Sequence, residues 1–218
     1  MLKKFTRLHL EIFDANRLKV FEKFKKYKRY GFLAGGTALA LQLGHRVSYD
    51  FDIFCKKKIT HGIIENCRKD FGVTQVLVNS SDEFTFLTKD DIKITFLYYP
   101  FVFSGKLVDP KIGPSLLGIL DIASAKAYAL NRRGVWRDYI DLYFIINTQL
   151  ADLKRIISNA ETIYDGLFSS KLFLGQLVYT KDIDAEDSKN VNLFGGSLSV
   201  KVVENFFKVK VLEFEKLL

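Results

Sequence analysis

The sequence predicts an α+β protein, with strands and helices interleaved over residues 1–112 and an α-helical C-terminal lobe over 113–218. Three observations point there. Short apolar or alternating runs separated by turn residues fill the first half, and apolar residues at three- and four-residue spacing fill the second. The chain's prolines, Pro100, Pro110 and Pro114, punctuate one stretch between the halves and place the seam near Gly113.

Taken in order, Leu8 to Tyr30 reads as a helix. Ile12, Leu18, Val20, Phe21, Phe24 and Tyr27 recur at helical spacing, and Asp14 is placed to cap a second segment within it. Phe32, Leu33 and Ala34 form a short apolar strand that ends at Gly35-Gly36. Thr37 to Leu43 strongly favours helix, and Gly44 stops it. Tyr49 to Phe54 alternates apolar and acidic residues as a strand does. A helix over 59–71 and strands over 73–78, 83–88 and 92–99 follow, the last two joined as a hairpin at Lys89-Asp90-Asp91. Helices are then predicted over 121–132, 136–148, 151–168 and 200–218. The acidic, polar stretch from Tyr179 to Ser188 reads as an exposed loop.

A chain of 218 residues buries roughly 70% of its unfolded surface, so neither disulfides nor structural metals are required. Its two cysteines, Cys55 and Cys67, read as buried thiols in a reducing compartment, and no second Cys/His pair at ligand spacing makes them a zinc site. No run of eighteen apolar residues and no signal-peptide pattern occur, so no membrane span is expected and a cytoplasmic location is. The net charge of +8 collects at Lys23, Lys25, Lys26, Lys28 and Arg29 and again at Lys56, Lys57 and Lys58. Such runs are solvated faces, but they also favour phosphate-bearing partners, whether nucleic acid or nucleoside triphosphate.

Chemistry concentrates between Gly35 and Asp52. Asp50 and Asp52, two apart on a strand, project from one face with Cα atoms roughly 6.5–7 Å apart. Paired carboxylates repel unless a cation lies between them, and Mg²⁺ (or Mn²⁺ in its place) suits two carboxylates plus phosphate oxygens. Gly35-Gly36 before a helix offers backbone N–H groups and the positive helix end as a phosphate cradle, with the Thr37 hydroxyl in the first turn. In the connection, Arg46 is placed to hold a phosphate or a carboxylate, and His45 to make a structural hydrogen bond. Each motif alone also describes ordinary structure, a tight turn or a surface acid.

Together, the run Gly-Gly-Thr-Ala-Leu-Ala-Leu-x-Leu-Gly-His-Arg-x-Ser-x-Asp-Phe-Asp from Gly35 to Asp52 resembles the signature of the AbiEii-type nucleotidyltransferases. These are toxin components of bacterial and archaeal toxin–antitoxin and phage-defence systems, within the DNA polymerase β-like superfamily. A second block, Asp121 to Leu142, with Lys126 on one helix and Arg137-Asp138-x-x-Asp141 on the next, is similar to the family's downstream motif. The resemblance covers about Tyr30 to Phe144. It implies a polymerase β-like core, a small mixed sheet flanked by helices, over 1–112.

The resemblance also implies a site. Asp50, Asp52, Lys126 and Asp138 would be catalytic, with the metal on Asp50 and Asp52. Gly35, Gly36, Thr37, Arg46, Ser48 and Lys126 would bind the nucleotide. Read without the family, Lys126 offers a point charge to phosphate oxygens, and Arg137, Asp138 and Asp141 share a helix face as surface ion pairs worth little. The expected reaction is Mg²⁺-dependent transfer of a nucleoside monophosphate from a nucleoside triphosphate to a hydroxyl of tRNA, another RNA or a protein. A cognate antitoxin is the implied partner. One departure stands out: where the superfamily carries a third carboxylate, this chain has Thr95. That favours the alternative of a nucleotide- or RNA-binding module with weak or no turnover; a kinase-like phosphotransferase is a third possibility.

Overall fold

The computed structural model describes residues 8–181, 183 and 191–216. Among them it holds a five-stranded sheet and eight α-helices. The described residues of Phe5–Phe101 and Lys106–Gly118 pack as one compact unit, and those of Val102–Gly105 and Ile119–Leu218 as another.

The first unit is built on the sheet, in the order β1-β2-β5-β4-β3. Its strands are β1 (Gly31–Ala34), β2 (Phe51–Cys55), β3 (Val73–Asn79), β4 (Glu83–Thr88) and β5 (Lys93–Tyr98). Only the β2–β5 pair is parallel. Alternation along the strands sorts the two faces. Phe51 and Ile53 on β2, Phe84 and Phe86 on β4 and Ile94 and Phe96 on β5 are buried. Phe24 packs its ring 5.3 Å from Phe51, 4.9 Å from Phe71 and 6.1 Å from Phe96, so an aromatic core covers one face of the sheet. On the opposite face Asp52, Thr95 and Thr85 form a polar row across β2, β5 and β4.

The N-terminal helix is shorter than the periodicity predicts. Leu10–Ile12 forms a 3₁₀ turn, α1 covers Ala15–Lys23, and Phe24–Tyr27 is again 3₁₀. Asp14 breaks the pattern because it takes an extended conformation to cap α1, accepting the Arg17 N–H at 2.8 Å. Helices α2 (Gly35–Leu43) and α3 (His61–Phe71) fall where expected, each closed by a left-handed glycine, Gly44 or Gly72. At the β4–β5 turn Asp91 takes a positive φ of 53°, and Thr88 N–H donates to the Ile92 carbonyl at 3.1 Å.

The second unit is helical: α4 (Ile119–Leu130), α5 (Trp136–Asn147), α6 (Leu153–Tyr164), α7 (Ser170–Val178) and α8 (Val200–Glu215). Two outcomes differ from expectation. The helix predicted to reach Phe168 ends at Tyr164, with Gly166 at φ +69°, and a separate helix, α7, starts at the Ser169 cap. Of the acidic loop near Asp182–Asp187, Asp182 and residues 184–187 lie outside the described residues. Within this unit Asp121, 2% exposed, accepts from the Gly105 N–H and the Asn159 amide, both at 3.0 Å, which ties residues 102–105 to α4 and α6.

No described helix is long and apolar enough to cross a membrane. Both cysteines are buried free thiols.

Candidate active site

Tight local geometry brings the upstream residues together. Gly35 follows β1 directly and starts α2 with φ +64°, a left-handed value that disfavours any side chain. A Cβ there would lie 2.7 Å from Asp52 Oδ2, so the glycine turn is pressed against the carboxylate. At Gly36 a Cβ would strike the Arg46 guanidinium. These two glycines therefore let a backbone approach an acid and a cation that a larger residue would displace.

The polar groups behind the turn are bonded to one another. Thr37, 2% exposed, has its hydroxyl 2.7 Å from that of Ser48 and donates to the Asp50 carbonyl. This fixes the start of α2 against the entry to β2. Arg46 and His45 are buried, and Arg46 Nη1 donates to the Val47 carbonyl at 3.0 Å. Gln42 closes the other end of α2, its amide donating to the Leu117 carbonyl at 2.9 Å.

Asp50 stands one residue before β2 begins, whereas the alternation predicts it inside the strand. Asp52 lies on β2 opposite Ala34 of β1 and Thr95 of β5. Thr95, predicted to replace an acid, is thus directly beside Asp52. Its hydroxyl is 3.1 Å from that of Thr85, which donates to Glu83 Oε1 at 2.6 Å. Sequence reasoning passed over a further residue: Lys93 Nζ lies 3.0 Å from Asp50 Oδ2. Its spacing from Thr95 puts the two on one strand face, but the acid it meets is set by the parallel β2–β5 register. The Lys93 ammonium on Asp50 shows that this carboxylate can face a cation, and paired carboxylates are donors of the kind that suit Mg²⁺. Among the described residues no group of three or more His, Cys, Asp or Glu side chains is placed to hold a metal.

The downstream residues form a cluster in the helical unit. Lys126 on α4 reaches Asp138 Oδ1 at 2.8 Å and Asp141 Oδ2 at 2.6 Å, both on α5. All three are buried, Asp141 completely. This corrects the reading of Asp138 and Asp141 as surface pairs. They are a buried triad with two acids on one lysine, and Asp138 Oδ2 is a buried oxygen with no hydrogen-bond partner. Arg137 is exposed.

The basic cluster is partly engaged within the protein. Lys23 donates to the Asp70 carbonyl at 2.7 Å, Lys26 pairs with Asp70 at 3.2 Å, and Lys28 with Asp109 at 2.5 Å. Lys58 pairs with Asp82 at 3.3 Å.

This sheet, with a glycine turn set against its acidic strand, belongs to the nucleotidyltransferase fold. MenT4, a nucleotidyltransferase toxin of Mycobacterium tuberculosis, superposes with a TM-score of 0.61 at 12% identity, covering 89% of this chain and 80% of its own. JHP933 of Helicobacter pylori superposes with a TM-score of 0.52 at 16% identity, covering 92% of each chain. At the level of family, residues 22–165 match the one described as "Nucleotidyl transferase AbiEii toxin, Type IV TA system", and the chain belongs to it. An uncharacterized protein of Aquifex aeolicus is 32% identical over 186 residues, 84% of this chain and 87% of its own length. The chain is a transferase enzyme and a nucleotidyltransferase toxin.

Proposed function

We propose that the chain moves a nucleoside monophosphate from a nucleoside triphosphate to an acceptor hydroxyl. The observation that carries this reading is the contact between the Gly35 turn and Asp52. It supports the reading because the backbone amides at the start of α2, which would cradle a phosphate, lie beside the acid that would hold the metal. The backbone amides at the start of α2 and the Arg46 guanidinium would hold the triphosphate. Asp50 and Asp52 would hold Mg²⁺, or Mn²⁺ in its place. When bound, the ion neutralises phosphate charge and favours in-line displacement of pyrophosphate. Thr37 and Ser48 act behind the cradle, keeping the helix start and the acidic strand in fixed register. Lys126 and Asp138, which the family resemblance assigns to catalysis, are proposed to take part through the Lys126 ammonium.

For the acceptor we propose an RNA end, tRNA among the candidates, on the strength of the net charge of +8; a protein hydroxyl is the competing acceptor. A cognate antitoxin and a cytoplasmic setting complete the proposal. The second reading, a module that binds nucleotide or RNA with weak or no turnover, is favoured by one observation, Thr95 beside Asp52.

The test is incubation with each of the four α-³²P-labelled nucleoside triphosphates, Mg²⁺ and total cellular RNA, beside the Asp50→Asn/Asp52→Asn variant. Label on RNA or protein that is absent with the variant and after chelation of Mg²⁺ is the expected result. Tight nucleotide binding with no transfer of any of the four would select the binding module.

A further inference from the structure

On the reading that Asp50 and Asp52 take a metal and a triphosphate, we infer that Lys93 is a built-in counter-ion: it pairs with Asp50 and so makes divalent-ion entry depend on the triphosphate. The β2–β5 register carries this. Phe51 pairs with Ile94 and Asp52 with Thr95 in parallel, so the residues just before them, Asp50 and Lys93, come level. The strand edge facing the two acids therefore presents an ammonium and a hydroxyl. The ion pair at 3.0 Å is the direct consequence.

Charge makes the consequence specific. Asp50 and Asp52 carry two negative charges; Lys93, together with Arg46 at the Gly36 turn, carries two positive ones. An electroneutral site has little to offer Mg²⁺, which gives up its water reluctantly and needs anionic donors. A triphosphate changes that balance. Its oxygens give the Lys93 ammonium another partner, and Asp50 is released to the ion that arrives with the phosphates. Lys93 is in this sense a positioning residue, setting the order in which cations meet Asp50.

Direct Mn²⁺ binding to the full-length protein without nucleotide, read by electron paramagnetic resonance of the free ion, tests this without any assay of turnover. Lys93→Gln should bind Mn²⁺ about 2- to 5-fold more tightly than the parent chain, the range expected when a half-exposed ion pair no longer competes. Lys93→Arg should match the parent. Lys58→Gln removes the same charge from the Asp82 pair and controls for net charge; its affinity should not change. Equal Mn²⁺ affinity for Lys93→Gln and the parent overturns the inference, as does an equal gain in Lys58→Gln. Asp52→Asn separates the two levels of argument. If it abolishes Mn²⁺ binding while Lys93→Gln changes nothing, only the counter-ion role fails. If binding persists in Asp52→Asn, or no variant binds Mn²⁺ at all, the metal reading fails and the counter-ion role with it.

Discussion

At the scale of single residues, two glycines with nearly the same backbone carry different burdens. Gly35 has φ +64° and Gly72 has φ +63°. Alanine at either must adopt a left-handed conformation, at a cost of about 1–2 kcal/mol. The surroundings differ: a Cβ on Gly72 meets nothing within 4 Å, whereas one on Gly35 meets Asp52 Oδ2 at 2.7 Å. Gly72→Ala should therefore lower Tm by about 2–8 °C in a chain of this size, and Gly35→Ala by at least as much, since its Cβ also presses on Asp52. Only Gly35→Ala should lose nucleotidyl transfer as well, by about 100-fold, since a displacement on the order of 1 Å at a reacting site costs that much. Equal activity in the two variants would remove the Asp52 contact from the mechanism. The need for glycine at position 35 was legible in the sequence because Gly-Gly interrupts an apolar strand just before a helix. Its contact with Asp52 was not, since that depends on the antiparallel pairing of Ala34 with Asp52. Lys93 escaped for a related reason: one charged residue at a strand start has no meaning until the parallel partner is known.

Elements were legible where hydrophobic period and caps agreed. Helices α2, α3, α4, α5 and α8 and all five strands match expectation to within a few residues. Asp14 caps α1 as expected; prediction failed where the helix gave way to 3₁₀ turns at Leu10–Ile12 and Phe24–Tyr27, and where a glycine reset the chain, at Gly166. Between α4 and α5 the period was clear but its meaning was not, because spacing alone cannot tell a surface acid from a buried one. The triad of Lys126, Asp138 and Asp141 supplies a prediction at this scale. Removing the cation takes the Lys126 ammonium away from two buried carboxylates, and breaking a buried pair in this way costs about 3–5 kcal/mol. Lys126→Met should accordingly lower Tm by about 6–20 °C. Adding Asp141→Leu removes one of the two buried carboxylates and should restore much of that loss, because apolar replacement of buried ion pairs is often neutral. Transfer should stay lost in both variants if Lys126 acts on the nucleotide. Recovery of activity along with stability in Lys126→Met/Asp141→Leu would make the triad purely structural.

At the scale of the whole molecule the two units carry separate reporters. Trp136, the chain's one tryptophan, is buried in the helical unit, while Cys55 on β2 and Cys67 on α3 are buried in the sheet unit. Burial pushes both thiols up to about 12 from an ordinary 9.0, because desolvation disfavours the thiolate. The folded chain thus keeps its thiol protons to higher pH than the unfolded chain. The stability this contributes is complete below about pH 9 and is lost as pH rises towards 12. The same shift controls reactivity, since the thiolate is the nucleophile. At pH 8 its fraction falls from about one in ten to about one in ten thousand when the thiol titrates at 12 rather than 9, and steric protection adds to that. Iodoacetamide at pH 8 should therefore leave both cysteines unmodified in the native protein, at rates at least about 1,000-fold below those of the unfolded chain. In a guanidinium series the two should become reactive over one common range, because they share a unit and open with it. Trp136 emission recorded beside them follows the helical unit independently. Rapid native labelling of either cysteine, or transitions for the two that separate along the series, would show that the aromatic-covered face of the sheet does not open as one body.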